Sequence, residues 1–441
     1  MKRLVFVFLA ACCAGASDAI TLDALLQSTI DSNPEIQKAK CDLEKASGRR
    51  LIFHSVALPD ATVGVAGGLQ GGHRAGEKPV QPFGFGYGGF TQPFFNAAVP
   101  ASWRRGDVEV LIAQQQLNVA VTQQLHGARM AFYTAVYNRD VKALREEQRQ
   151  RLQENVGSQK SRYESGLADR GAFVSAEVQT RELDPRIDAA QRAYEGALLK
   201  LSEAMGKDFG QYATLPAPEG ELHYEGVDVD LAQASAAALE GRPDLKLARL
   251  LVRAATEDQR IIEAAYYPQI TATISGEYIP VSGVRREQGE GSPRRSDDII
   301  SSEVRSGGAY TWRVIDNGKV GGAVTKQRAA REINELLLQK MERDVPRDLS
   351  RIQNDLDAVA VKQQALRDAS TAAEQNAATL QQNLAGGVAS QLEFRLAQND
   401  SLEVKTALLS LAYQQHVDLA EWDRATGKYL RFVDENAQNV Q

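Results

Sequence analysis

The chain is 441 residues long, and its 57 acidic and 51 basic side chains leave a formal net charge of −6, which argues against a nucleic-acid-binding protein with a basic face. Its 3 cysteines and 5 scattered histidines provide neither a disulfide framework nor the spacing of a metal site. Because Ser, His and Asp nowhere follow the order of a catalytic triad, we predict a protein that is not an enzyme and needs no cofactor.

The N-terminus has the features of an export signal. Two basic residues precede an apolar run at 4–16 that is too short to span a bilayer. We assign residues 1–19 to a signal peptide, with cleavage after Ala16 or Ala19; the alternative is a lipoprotein signal in which Cys12 carries the lipid. Later segments offer no apolar helix long enough to span, so the exported protein should be soluble, lipid-anchored or a β-barrel.

Long helices are predicted on both sides of a few short strands. The helical segments lie at 35–58, 104–163, 244–266 and 318–384. The second of them contains no proline, and at 1.5 Å per residue it would form a rod of about 90 Å. Pro346 is expected to bend the last helix or to mark a junction in it. A structural coiled coil would explain these helices but not the segments between them.

Four segments alternate apolar and polar residues with the period of a β-strand. They are predicted near residues 60–70, 90–98, 269–279 and 303–314. Strands of ~9–11 residues with one apolar and one polar face are typical of outer-membrane barrels. One such strand alone would fit a soluble sandwich, whereas four of them favour a membrane barrel.

The apolar face of these strands is expected to contact lipid. The residues assigned to it are Val63, Val65, Ile270, Ile274, Tyr310 and Trp312. Aromatic residues are frequent at the same strands, Phe85 and Tyr87 among them, as in the aromatic girdles at the two interfaces of a membrane barrel.

The chain also repeats itself. Pro34 returns at Pro243, and Gly166 returns at Gly387, in matching surroundings. A period of about 200 residues is too long for a solenoid, whose units have ~20 to 50 residues, and indicates a duplicated domain. The predicted organisation is a first repeat at 20–210, a linker at 211–228, a second repeat at 229–428 and a C-terminal tail at 429–441.

Four strands per chain cannot close a barrel, because the smallest bacterial barrels have about 8. An open strand edge is not tolerated in lipid. The strands of several chains must therefore be pooled, and three chains of four strands would give twelve.

These features, in this order, resemble the TolC family of outer-membrane efflux proteins over nearly the whole mature chain. The residues that carry the resemblance are Ile20-Thr21-Leu22 before Asn33-Pro34, Tyr267-Pro268 before a strand, Arg105-Gly106 and Asn317-Gly318 at the start of the long helices, and the paired Gly166 and Gly387 segments followed by Gly206 and Gly427.

The resemblance implies a mainly α fold with a small antiparallel β part. Duplicated long helical hairpins would form a trimeric α-barrel in the periplasm, and four strands per chain would complete a 12-stranded β-barrel in outer-membrane lipid. Such a homotrimer would export small molecules or proteins as the exit duct of a tripartite efflux pump or a type I secretion system. Its partners would be a periplasmic adaptor protein and an inner-membrane transporter. The alternative is a periplasmic coiled-coil adaptor or a structural protein without a pore.

The resemblance also assigns the turns at Gly166 and Gly387 to the periplasmic tip, where adaptors bind. Asp169 and Ser390 are well placed to cap the helices that follow. A glycine before each cap can adopt the left-handed conformation that ends a helix.

Glu393 has two possible roles. It completes an S-x-x-E capping box with Ser390, and by resemblance it could belong to an acidic ring at the pore entrance. Leu396 stands where a second acid is expected, and Leu384 and Ala389 replace the expected gate residues, an aromatic and a base. Closure by salt bridges of the family type is therefore not expected.

Overall fold

The computed structural model of the chain describes residues 19–71, 80–167, 169–206, 217–278 and 302–429. Of the expected signal peptide only Ala19 falls within these ranges, and of the C-terminal tail only Tyr429. The alternatives at Cys12 and Ala16 therefore concern residues outside the described part of the chain.

Two sets of six elements follow each other in the same order. The first set is α1 (Leu22–Ser32), α2 (Pro34–Ser55), β1 (Asp60–Gly71), β2 (Val80–Phe95), α3 (Val99–Glu164) and α4 (Arg170–Ala204). The second set is α5 (Leu231–Gly241), α6 (Pro243–Glu263), β3 (Gln269–Tyr278), β4 (Ser302–Thr311), α7 (Lys319–Ala385) and α8 (Gln391–Thr426). A short 3-10 helix, Ala264–Tyr266, follows α6. Within the described ranges, no helix is both long and apolar enough to cross a membrane.

The chain divides into two compact units. The helical unit comprises Met1–Lys40, Gln116–Lys246 and Met341–Gln441, and the strand unit comprises Cys41–Gln115 and Leu247–Lys340. The boundaries fall inside α2, α3, α6 and α7, so each of these helices contributes residues to both units.

In the helical unit, the first two helices of each set meet at a proline. Asn33 is buried between α1 and α2, where its side-chain amide donates to the Gln124 side chain and to the Ala204 carbonyl, both at 3.2 Å. At the same position in the second set, the Arg242 guanidinium bonds the Asp244 carboxylate at 3.1 and 2.7 Å. Proline starts both following helices because its missing N–H would be unpaired there anyway.

A left-handed glycine closes each set. Gly206 has a φ of +65°, and a Cβ on it would lie 2.5 Å from the Ser32 carbonyl oxygen at the end of α1. Gly427 has a φ of +76° and packs against the end of α5 at Gly241. The last helix of each set is thereby held against the first, around a core in which Leu25, Leu125, Leu201 and others are fully buried.

The strand unit contains one antiparallel sheet in the order β1-β2-β3-β4, so β1 and β4 are its edges. Its helical part has a small core of Val108, Ile112 and Ala254. Charges surround that core: the Arg105 guanidinium contacts the Glu109 carboxylate at 2.6 Å and the Asp258 carboxylate at 2.9 Å.

Three expected boundaries differ from the structure. The strand expected near 90–98 is longer and earlier, Val80–Phe95, because its Gly-aromatic alternation pairs with all of β1. The strand expected near 303–314 ends at Thr311, which leaves Trp312 just beyond it.

The third difference concerns α3, which begins at Val99, so Arg105-Gly106 lies inside the helix and not at its start. Gly106 is needed there because a Cβ would lie 2.9 Å from the Phe53 Cβ. In the second long helix, α7 continues on both sides of Pro346.

Candidate functional site

The register of the sheet brings the predicted lipid-facing strand residues to one face. Residues paired directly across neighbouring antiparallel strands share a face, and Phe90 pairs with both Ala61 and Ile274, while Ile270 pairs with Tyr310. By this register Val63, Val65, Ile270, Ile274 and Tyr310 lie together, with Val304 and Tyr278 beside them. Trp312 is not among them because it follows the end of β4.

All charged residues within the four strands lie on the opposite face. They are Asp60, Glu277, Glu303 and Arg305, three carboxylates against one guanidinium, and Thr and Ser residues surround them. We call the two faces of the sheet the apolar face and the polar face. Such complete segregation matches the demand of a bilayer, where a charge at the midplane costs roughly 2–4 kcal/mol.

The apolar face is uncovered in the single chain. Val63 is 92% exposed, Val65 86% and Val304 75%. Burial of a side chain of this size contributes roughly 1.5–3 kcal/mol, so a row of them exposed to water would be strongly unfavourable. The face therefore requires an apolar environment that the described part of the chain does not supply.

Two aromatic residues assigned by their position in the sequence to an interfacial girdle lie elsewhere. Phe85 and Tyr87 belong to the polar face, because Tyr87 pairs with Gly64 and Glu277. A Cβ on Gly64 would lie 2.4 Å from the Tyr87 ring, so that ring covers the glycine. The aromatic residues on the apolar face are Phe90, Phe95, Tyr278 and Tyr310.

Two tryptophans lie where the sheet joins the helices of the strand unit. The Trp312 indole N–H donates to the Tyr266 carbonyl at 3.1 Å, and that of Trp103 donates to the His54 carbonyl at 3.2 Å. Both rings are about half exposed. An anchored polar edge with an exposed ring is typical of a side chain at a membrane interface. Trp103 could not be found from strand periodicity, because it lies within α3.

The two predicted turns have the same backbone structure in the helical unit. Gly166 and Gly387 both have a φ of +73°. The Leu167 N–H donates to the Arg162 carbonyl at 2.8 Å, and the Val388 N–H donates to the Asn383 carbonyl at 2.8 Å. These are the six-to-one bonds of a Schellman motif, which glycine at the left-handed position makes possible.

The caps of the following helices differ between the turns. The Asp169 carboxylate accepts the Ala172 N–H at 2.8 Å. At the second turn Ser390 Oγ accepts the Glu393 N–H at 3.2 Å, and the Glu393 carboxylate accepts the Ser390 N–H and hydroxyl, each at 2.8 Å. These two hydrogen bonds lower the pKa of Glu393 below its ordinary value of 4.5, and the bond from the Ser390 backbone N–H contributes more than the bond from the Ser390 hydroxyl.

Each turn carries one exposed aliphatic side chain, Leu167 or Val388, that was not singled out from the sequence. Leu167 is 73% exposed and Val388 is 83% exposed, each directly after its glycine. Leu392 and Leu396 are also more than half exposed at the start of α8. Leu167 and Val388 occupy equivalent positions of the repeat, so alignment of the two repeats could have identified this pair from the sequence.

In the described part of the chain, no group of three or more His, Cys, Asp or Glu side chains is arranged to hold a metal ion.

Comparison with protein families gives a match over most of the chain. The model of the Outer membrane efflux protein family matches residues 25–207 and 234–428. No curated protein matches the sequence at a significant level.

Several solved structures have the same fold. VceC, an outer membrane protein of Vibrio cholerae, aligns with a TM-score of 0.75 at 16% identity, over 92% of this chain and 96% of VceC. The outer membrane channel CmeC of Campylobacter jejuni aligns with a TM-score of 0.79 at 12% identity, over 95% and 89% of the two chains. The MtrE outer membrane channel of Neisseria gonorrhoeae aligns at 0.72 and 16% identity, over 92% and 88%.

Proposed function

The chain belongs to the outer membrane efflux protein family, and from that premise we propose that it is one subunit of a homotrimeric channel in the outer membrane. The channel is the exit duct of an efflux pump or a type I secretion system, and its cargo is small molecules or proteins. Family membership favours this reading over a periplasmic adaptor or a structural coiled coil.

The observation that carries the proposal is the segregation of the sheet. Every charged strand residue lies on the polar face, and the apolar face presents uncovered Val and Ile. In a membrane barrel the first face lines an aqueous lumen and the second contacts lipid tails. Outer-membrane lipid is thus the apolar environment that the isolated chain lacks.

The edges of the sheet support a trimer. Among the described residues, β1 and β4 each have one side without a strand partner. Hydrocarbon does not tolerate unpaired backbone N–H and C=O groups, so these edges must pair with other copies. Three copies would close twelve strands, with β4 of one protomer beside β1 of the next.

The turns are the proposed contact with a periplasmic adaptor. Each turn is a rigid Schellman motif followed by a capped helix, and each displays one exposed aliphatic residue, Leu167 or Val388. Single exposed side chains are common on any surface, but two at equivalent positions of a repeat form a matched pair. An adaptor bound there would connect the duct to an inner-membrane transporter, with the helical unit in the periplasm.

The test is made with the purified full-length protein in detergent and in planar bilayers. Light scattering should give three copies per particle, and insertion should give discrete ohmic conductance steps. Fractionation of cells should place the protein in the outer membrane as an oligomer that dissociates on heating. A soluble monomer without conductance would contradict the proposal and favour the adaptor or structural alternative.

A further inference from the structure

One row of residues across the polar face combines an aromatic ring with carboxylates. Gly64 pairs directly with Tyr87, Tyr87 with Glu277, and Glu277 with Glu303, so the row runs across all four strands. Arg305 lies two residues along β4 on the same face. The row therefore contains two carboxylates on neighbouring strands, directly opposite each other.

Like charges at directly opposite positions destabilise an antiparallel pair. Arg305 offsets this for one of them, because its guanidinium makes two bonds to the Glu303 carboxylate, at 2.5 and 2.9 Å. Glu277 shares the same guanidinium only through its charge, because Arg305 interacts electrostatically with Glu277 but makes its hydrogen bonds to Glu303. A charge on Glu277 thus remains available to a cation from outside the chain.

Aromatic surface adjoins the Glu277 carboxylate. The Tyr87 ring lies over Gly64, and the centroid of the Phe85 ring is 5.9 Å from that of Tyr87. Both rings and Glu277 border an open hollow of about 260 Å³, together with Ser275, Glu303 and Arg305. Aromatic faces attract cations through their quadrupole, most strongly those with a weakly hydrated, organic charge.

We infer that the hollow at Tyr87 and Glu277 binds organic cations, with the charged group at the Glu277 carboxylate and the hydrophobic part against the Phe85 and Tyr87 rings. A hydrated metal ion fits less well, because such ions take several oxygen ligands and both oxygens of the neighbouring Glu303 carboxylate are held by Arg305. The inference deepens the proposed function and rests on it: if the polar face lines the lumen, three such sites surround the path of the cargo. Amphipathic organic cations are then the cargo class that the lumen favours.

The probe is benzyltrimethylammonium, and benzenesulfonate, which has the same ring and the opposite charge, is the control compound. Binding of each compound to the purified full-length protein is measured by isothermal titration, and block of the conductance by each compound is measured in planar bilayers. We expect binding of the cation and no binding of the anion. Glu277→Gln should lower the affinity for the cation about tenfold, and Tyr87→Leu should lower it about two- to thirtyfold.

Two further variants separate this site from a general effect of the sheet. Gly64→Ala should displace the Tyr87 ring, since a Cβ there would lie 2.4 Å from it. Gly64→Ala should therefore lower the affinity for the cation in the wild-type background. In a Tyr87→Leu background, where the ring is already missing, it should cause no further loss of affinity. Thr273→Ala, on the same face but outside the row, should leave affinity unchanged.

The outcomes separate the inference from the function on which it rests. Conducting channels that bind the cation equally in wild type, Glu277→Gln and Tyr87→Leu would overturn the site and leave the channel intact. A protein without conductance whose cation binding is lost in Glu277→Gln would support the site and overturn the channel. Absence of binding to the wild-type protein overturns the inference whether or not the protein conducts.

Discussion

The sheet and the two turns encode their roles in different ways. In the sheet the backbone is regular, and the information lies in which face each side chain occupies: Thr273 and Ile274 are adjacent but belong to opposite faces. In the turns the information lies in the backbone itself, at Gly166 and Gly387 with a φ of +73°. Substitutions should therefore act through polarity in the sheet and through conformation in the turns.

This difference predicts that substitutions in the sheet affect assembly of the channel, whereas substitutions in the turns affect its coupling to the adaptor. The sheet must enter lipid and pair its edges, so errors there should prevent the channel from forming. The turns belong to the helical unit, which has a large core of its own. Errors in the turns should leave a channel that inserts but does not export.

The sharpest test of this contrast is a pair of neighbouring substitutions in β3. Ile274→Arg places a charge on the apolar face, at a cost of roughly 2–4 kcal/mol per chain near the midplane. Each of the three chains bears this cost. We expect the oligomer to be lost from the outer membrane, as measured by heat-modifiable bands after fractionation. Thr273→Arg, on the polar face, should assemble normally; equal yields of the two variants would show that the faces are wrongly assigned.

A second test addresses the turns. Gly166→Pro or Gly387→Pro should disrupt the reversal of the chain, because proline has a φ near −65° and cannot adopt the left-handed conformation. The oligomer should still reach the outer membrane, while export of the natural cargo fails. The measurement is export at matched protein levels. Normal export by both variants would remove the proposed role of the turns as adaptor contacts.

A smaller effect is expected from the helix caps. Asp169→Ala and Ser390→Ala each remove a side-chain acceptor for a backbone N–H, which typically costs about 1 kcal/mol of local stability. Hydrogen exchange should accelerate in the first turn of α4 or α8 respectively. Asp169→Asn retains an acceptor and is the matched control. Faster exchange in the sheet would mean that the two regions are not independent.

The smallest expected effect on stability is that of Glu393→Gln, because Gln can also complete the capping box. The pKa of Glu393 is lowered in the folded protein, so its carboxylate contributes stability above the ordinary value of 4.5, and that contribution is lost as the pH falls through the lowered pKa. Hydrogen exchange at the start of α8, corrected for intrinsic rates, should show this acid dependence in the wild type but not in the variant.

The same variant tests the second role of Glu393. If three copies form a ring at the pore entrance, Glu393→Gln should reduce cation selectivity and block by divalent or trivalent cations. Single-channel recording in planar bilayers measures both. Unchanged selectivity and block would leave Glu393 as a cap alone.

Much of this architecture could be predicted from the sequence because it rests on local patterns. The faces of β1 and β3 follow from alternation of Val and Ile with Thr and Ser, and register then preserves that division. The two turns follow from a repeated glycine before a capping residue. The long helices follow from extended stretches without helix-breaking residues.

Other features depend on contacts between distant segments. The ring of Tyr87 over Gly64 depends on the register of β1 against β2, which single-strand periodicity does not specify. Position 106 inside α3 is a glycine because Phe53 approaches the helix there, whereas by itself the glycine indicated a helix start. The pairing of Glu277 with Glu303 likewise becomes visible only when β3 and β4 are aligned.

The central claim is that three chains share one barrel whose apolar face meets lipid. Electron cryo-microscopy of the full-length protein in lipid nanodiscs tests it most directly. We predict three protomers and twelve strands, with β4 of one protomer hydrogen-bonded to β1 of its neighbour and Val63 and Ile274 facing lipid. A different number of chains, or a sheet whose edges remain unpaired outside the lipid, would contradict the account.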